Sequence, residues 1–357
     1  MLAGLKFHAS FGLYALCITA LTACNSLPDR PFFEASLSVG DANRILRSSD
    51  NEPQRAYAVR QLDQAAQQGD ERAARILARH FRRGPDINQD LARAAEYQEM
   101  LLAAGHEDVR SSLARLYLTE ASPAYNPIRG RELLDAAAQD GDAAAALQLA
   151  RLLDASDPNR AIGIREDLAT RGDAEAQLEL ATLLVDPSSV AFDPERGLAL
   201  YEQLARSGNG RALFALGTIY RKGEIVDRDL RRSLSYFERG VVAGDRRSTL
   251  QFALALFNGR GIETSEARGL AMIEDLAEQG SGAALWHLGR LAPRRYTILV
   301  QDTLFSEQFY AGDVHGVFDT NTLIAFESFC AARSVNATCA IEPFAREAAN
   351  AVAAARR

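Results

Sequence analysis

Apolar and polar positions along this chain follow a helical rhythm that restarts at nearly fixed intervals. A glycine after an Ala/Leu-rich stretch stands at Gly69, Gly105, Gly141, Gly172, Gly208, Gly244 and Gly280, spaced 36, 36, 31, 36, 36 and 36 residues apart. Eight residues after each comes Leu77, Leu113, Leu149, Leu180, Leu216, Phe252 or Leu288. The next position is always small: Ala78, Ala114, Ala150, Ala181, Gly217, Ala253 or Gly289. Three residues before each glycine stands Ala66, Leu102, Ala138, Ala169, Ala205, Val241 or Ala277. After each glycine the apolar positions form one stripe of a 3.6-residue helix. A second amphipathic segment, such as Leu198 to Ala205, leads into the next glycine.

Physical reasons follow for each column. Glycine ends a helix cheaply because it enters the left-handed region without a Cβ clash. The small residue after the leucine lets two helices approach closely. One helix pair cannot bury both of its apolar faces, so pairs must stack. The expected fold class is all-α: a right-handed α-solenoid of about seven helix pairs over residues 41–292, with a small helical module after it. A capping helix is expected to begin near Asp41. The 31-residue interval lacks five residues after Leu153 and predicts a shortened loop there.

The period and the loop residues carry a family resemblance. Leu216-Gly217-Thr218-Ile219-Tyr220, then Gly223, Asp227 or Asp229, and Tyr236-Phe237-Glu238-Arg239-Gly240 follow the pattern of the Sel-one-like repeat family, and Gly259-Arg260-Gly261-Ile262 keeps its loop glycines. A tetratricopeptide unit is shorter, at about 34 residues. The resemblance covers about residues 55–292 and implies an extended surface for binding proteins or polymers.

The chain starts differently. Lys6 precedes an apolar run from Phe11 to Leu21 that ends in Leu21-Thr22-Ala23-Cys24. This has the layout of a secretory signal and is too short for a confident membrane span. Its last four residues resemble the lipobox of bacterial lipoproteins. The resemblance implies cleavage after residue 23, lipid on Cys24 and, since Asn25 rather than aspartate follows, the periplasmic face of the outer membrane. A plain signal peptide with a chance cysteine accounts for the same residues. Residues 24–40, with Pro28, Pro31 and Gly40, read as a tether. Export makes a disulfide between Cys330 and Cys339 plausible, with two free thiols as the alternative.

Composition shifts again at Pro293. Tyr310, Gly312, Val314, Gly316, Phe318 and Thr322, followed by Ala325-Phe326, resemble the three-helix peptidoglycan-binding-like module, with Gln301 and Leu304 on its first helix. His315, Asp319 and Ser328-Phe329-Cys330 depart from its pattern. The module is expected over residues 293–343 and to tolerate separation from the array, with a final Ala-rich helix over 344–357.

Charge and chemistry narrow the function. The net charge is −7, and loss of Lys6 with the signal leaves 39 basic and 47 acidic residues. This excludes a generic electrostatic grip on nucleic acid. His80, His106, His287 and His315 fall in different repeats or modules, without metal-ligand spacing, and no nucleophile motif or phosphate loop is present. The expectation is therefore a protein that is not an enzyme and needs no cofactor. Arg79, Arg115 and Arg151 recur ten residues after successive glycines, with Arg290 in the last repeat. They read as solvated helix ends or as a row for an acidic polymer or partner. The layout is similar to the scaffold lipoproteins of alginate export, implying an outer-membrane porin or polysaccharide-synthase components as partners. Alternatives are a peptidoglycan-binding envelope adaptor or a periplasmic regulator of a sensor kinase.

Overall fold

The computed structural model describes residues 37–84, 88–335, 339 and 342–356. The signal segment, Cys24 and most of the tether lie outside the described residues. Among the described residues there are eighteen α-helices and no strand. The described residues fall into two compact units, divided between Leu149 and Ala150.

In the first unit, α1 (Val39–Ser48), α2 (Glu52–Gln67), α3 (Glu71–Arg83), α4 (Leu91–Ala103), α5 (Arg110–Tyr117) and α6 (Pro127–Gln139) each pack on the next. The helix α7 (Ala143–Leu153) begins in this unit. Short polar side chains set the helix starts. Ser38, Asn51, Asp70, Asp90 and Asn126 each accept a backbone N–H of the first turn. A cap of this kind is worth about 1 kcal/mol. The expected capping helix is α1, with Asp41 in its first turn. Neighbouring repeats are tied by polar contacts. The Arg75 guanidinium donates to both Asp108 oxygens at 2.7 and 3.0 Å. The Tyr97 hydroxyl donates to Asp63 at 2.6 Å, and burial, more than this bond, pushes its pKa up to about 12.

The second unit continues with α8 (Pro158–Thr170), α9 (Ala174–Val185), α10 (Pro194–Arg206), α11 (Gly210–Lys222), α12 (Leu230–Val242), α13 (Arg246–Asn258), α14 (Glu266–Glu278) and α15 (Gly282–Leu291), each packed on its successor. Then come α16 (Pro293–Ser306), α17 (Thr320–Ala332) and α18 (Arg346–Ala355). The shortened loop is real: four residues, 154–157, join α7 to α8, whereas seven, 223–229, join α11 to α12.

The repeat columns have the predicted physical roles, with one exception. All seven periodic glycines have φ between +74° and +93°. The leucine or phenylalanine eight residues later is at most 3 % exposed in every repeat. At the next position, a Cβ on Gly217 would come within 2.5 Å of the Phe237 ring, so the close approach of α11 and α12 requires glycine there. The column three residues before each glycine is buried at Ala66, Ala169, Ala205 and Ala277 but only half-buried at Leu102, Ala138 and Val241. In those three repeats burial falls one residue earlier, on Leu101, Ala137 and Gly240. A small rotation of a helix about its axis exchanges adjacent edge positions of its apolar stripe.

The sequence change at Pro293 is not a break in the core. Leu250, Ile273 and Leu288 of the repeats belong to one cluster with Tyr296, Val300, Phe326, Phe329 and Val352. The last helix, α18, packs directly on α15. Residues 293–356 therefore close the end of the array, and the expected separability of the module does not fit this shared core.

Candidate functional site

The α11–α15 segment builds a groove of about 500 Å³ within the second unit. Its floor is apolar: Leu230, Leu234 and Phe237 come from α12, and Leu254 and Ala255 from α13. Trp286, His287, Arg290 and Leu291 of α15 form one wall, while Gln251 and Asn258 add side-chain amides. Arg221 at the end of α11, with Arg228 and Arg260 from the two loops, completes the lining. No aspartate or glutamate lines it.

Local sequence explains how the arginines get there. Gly223 ends α11 with φ +74°, and its loop returns so closely that Arg228 Cβ lies 2.8 Å from where a Cβ on Gly223 would be. Gly259 and Gly261, at φ +66° and +78°, flank Arg260. A Cβ on Gly261 would touch Leu230 and Leu234 at 3.0 and 3.1 Å, so this loop lies against α12. On α13 and α15 the positions seven and ten residues after the periodic glycine, Gln251, Leu254, His287 and Arg290, face the groove.

Electrostatics distinguish this groove from its surroundings. Arg221, Arg228, Arg260 and Arg290 are all exposed, and among the described residues none is ion-paired. Arg290 and Arg346 instead place their guanidinium carbons 5.1 and 4.9 Å from the Trp286 ring centre, within cation–π range. Burial, and then the charges of Arg290 and Arg346, hold His287 below the usual histidine pKa.

A second polar cluster lies at the shortened repeat. Arg165, 2 % exposed, donates to both oxygens of Asp154 at 2.7 and 2.8 Å and to Glu179 at 2.9 Å. Glu179 also accepts from Arg151 at 2.6 Å, and Glu175 pairs with Arg151 and Arg211. The set is a closed charge network.

The sequence-derived candidates are spread over several places. Arg79 and Arg115 are exposed on α3 and α5 of the first unit. Arg151 is exposed too, but its guanidinium is held by Glu179 and Glu175. Cys330 and Cys339 form a disulfide and are both buried. Tyr310, Gly312, Val314, Gly316 and Phe318 occupy the loop between α16 and α17. Gln301, fully buried, accepts from the backbone N–H groups of His315 and Gly316 at 3.1 and 2.9 Å. Its amide donates to the Val317 carbonyl and to Thr322 Oγ1. Asp319 caps α17 through Thr322 N at 2.8 Å. Tyr310 donates to the Asp313 carbonyl, and Phe318 packs against Phe326 and Phe344. Of this motif, Val314 is the one side chain left prominently exposed, so most of these residues hold the loop itself.

Arg221, Arg228 and Arg260 were not visible as a group, because loops outside the repeat columns bring them together. Arg165 did carry a signal. Seven residues before the periodic glycines stand Leu62, Gln98, Leu134, Arg165, Tyr201, Phe237 and Ile273, all buried. A charged residue in that column announces a buried ion pair.

No group of three or more His, Cys, Asp or Glu side chains suited to a metal ion occurs among the described residues. Among the same residues no helix is long and apolar enough to cross a membrane.

Stacked helix pairs joined by left-handed glycines define a protein of the α-solenoid repeat class. Residues 72–106, 112–142, 174–209, 210–244 and 249–281 match the Sel1 repeat family, so these five segments of the array are Sel1 repeats. A Sel1 repeat protein from Oxalobacter formigenes has a similar structure, with 18 % identity and a TM-score of 0.59, covering 92 % of this chain and 89 % of that one. Two others are less similar. The antigen c5321 of uropathogenic Escherichia coli, with an SLR fold, gives 18 % identity and a TM-score of 0.41 over 88 % of this chain and 71 % of its own. A Sel1 repeat protein from Klebsiella pneumoniae gives 19 % and 0.37 over 56 % and 99 %. At these identities the likeness concerns the fold. No curated protein matches the chain.

Proposed function

We propose that this protein is a non-enzymatic interaction scaffold, held by lipid on Cys24 at the periplasmic face of the outer membrane, that assists assembly of an exopolysaccharide secretion complex of the alginate-export kind. Sel1 repeats mediate protein–protein interactions, and a run of them carries the scaffold reading. The arginine-lined groove of the second unit adds a surface suited to a partner. The Leu21–Cys24 box supports the lipid anchor, and the anchor would hold the array beside an outer-membrane porin or polysaccharide-synthase components.

Membrane fractionation tests the anchor. Cys24→Ser is expected to move the protein from the membrane to the soluble periplasm, and unchanged membrane association would refute lipidation. Crosslinking in living cells tests the scaffold, which requires a reproducible envelope partner encoded beside a glycosyltransferase or porin gene.

A second reading, a peptidoglycan-binding adaptor, draws support from the Gln301-stapled loop between α16 and α17. Saturable pelleting of the full chain with isolated sacculi would favour it. A periplasmic regulator of a sensor kinase is the third reading, and a neighbouring kinase gene would favour that.

A further inference from the structure

The groove has a chemistry more specific than a general partner surface. We propose that it binds an extended peptide segment of a partner protein that carries carboxylates next to leucine-like or phenylalanine-like side chains. The proposal rests on the scaffold reading and names the chemistry its partner must bring.

Charge complementarity is the first argument. The protein is acidic overall, yet this groove collects Arg221, Arg228, Arg260 and Arg290 without a carboxylate among its lining residues. Several other arginines of the second unit are matched within the chain, as Arg165 is by Asp154 and Glu179 and Arg295 by Glu274. Guanidinium groups that lack an internal carboxylate present planar forks that pair with carboxylates from outside. A recess lined by one sign of charge also focuses the field on an incoming anionic group.

The floor decides between classes of polyanion. Leu230, Leu234, Leu254 and Leu291 face the same recess as the guanidinium groups. A uronate polymer brings carboxylates but no apolar side chains, and would leave these leucines without dry partners. The ring that would stack a sugar, Trp286, already carries Arg290 and Arg346. A peptide supplies both kinds of group at alternate positions of an extended backbone. The Gln251 amide, and what the Asn258 amide keeps beside its bond to the Leu254 carbonyl, offer donors and acceptors for its main chain. A volume of about 500 Å³ suits a short segment.

Fluorescence anisotropy with the purified full chain tests this. The probe is a labelled peptide of repeated Asp-Leu-Ser triplets, compared with Lys-Leu-Ser and Asp-Ser-Ser repeats and with an oligouronate as competitor. The Asp-Leu-Ser probe is expected to bind about tenfold more tightly than either other peptide, with affinity falling as salt rises. Combining Arg260→Gln with Arg290→Gln should weaken it by about tenfold or more without shifting the thermal midpoint, a size typical of key interface arginines. Arg268→Gln, at an exposed arginine of α14 outside the groove, should leave the affinity unchanged. Equal binding of the Lys-Leu-Ser peptide, wild-type affinity in the double variant, or displacement by oligouronate at matched concentration would each overturn the proposal. The scaffold reading fails separately, by absence of crosslinked partners in cells, so a failed groove and a failed scaffold are told apart.

Discussion

Arg165 and Arg260 lie in the same unit and have opposite fates. Arg165 projects from α8 into a column filled elsewhere by Leu, Gln, Tyr, Phe or Ile, and carboxylates from the loop 154–157 and from α9 neutralise it. Arg260 sits between two left-handed glycines on a loop against α12, exposed and without a carboxylate among the groove residues. The contrast separates two uses of one side chain. A buried arginine must find its counter-charges within the chain, since an unpaired buried charge costs several kcal/mol. An exposed arginine in a recess keeps its hydration and leaves the choice of counter-ion to whatever enters.

Removing one arginine from each region should break the symmetry most clearly. Arg165→Met is expected to cost about 1–2 kcal/mol, because half-exposed Asp154 loses its partner and Glu179 keeps only Arg151. Urea denaturation measures this, and a loss below the range of a surface substitution would mean that the network is not structural. Titrating His287 sharpens the same comparison with a smaller effect. Its folded pKa lies below the ordinary 6.5, so the unfolded chain binds the proton more readily. Stability is thus full above about pH 6.5 and declines as pH falls below it, and His287→Gln should flatten that slope in thermal melts. Least affected of all should be Arg260→Gln and Arg290→Gln, each within about 0.5 kcal/mol of wild type by the same denaturation assay. A larger loss in either would show that the groove arginines hold the fold.

The array was legible because its physics is local and repeated. A glycine column, a leucine column and a small-residue column each answer one steric or packing requirement, and a requirement met seven times rises above chance. The shortened loop after Leu153 could be read for the same reason, since a deletion in a periodic sequence has a fixed place. Reading was weaker at the edges of the apolar stripe. Leu102, Ala138 and Val241 looked like core and are half-buried, because periodicity fixes a face only to within one residue. Arg151 matched Arg79 and Arg115 in register, but its neighbours Glu175 and Glu179 lie 24 and 28 residues away and hold it in an ion pair. The end of the array reads from composition as a separate module, whereas its core is shared with the last repeats. A change of composition at Pro293 says nothing about whether apolar faces on its two sides meet, and here Ile273, Leu288, Tyr296 and Val352 share one core.

By itself, then, the sequence determined the helices, their limits and the columns that stack them. Those features depend on propensities, caps and contacts that recur at fixed separation along the chain. Tertiary structure alone decided which arginines are neutralised and which are left facing a recess. That outcome depends on where three differently built elements converge, the Gly223 and Gly259–Gly261 loops and the outer face of α15, and no repeat period encodes the distance between them.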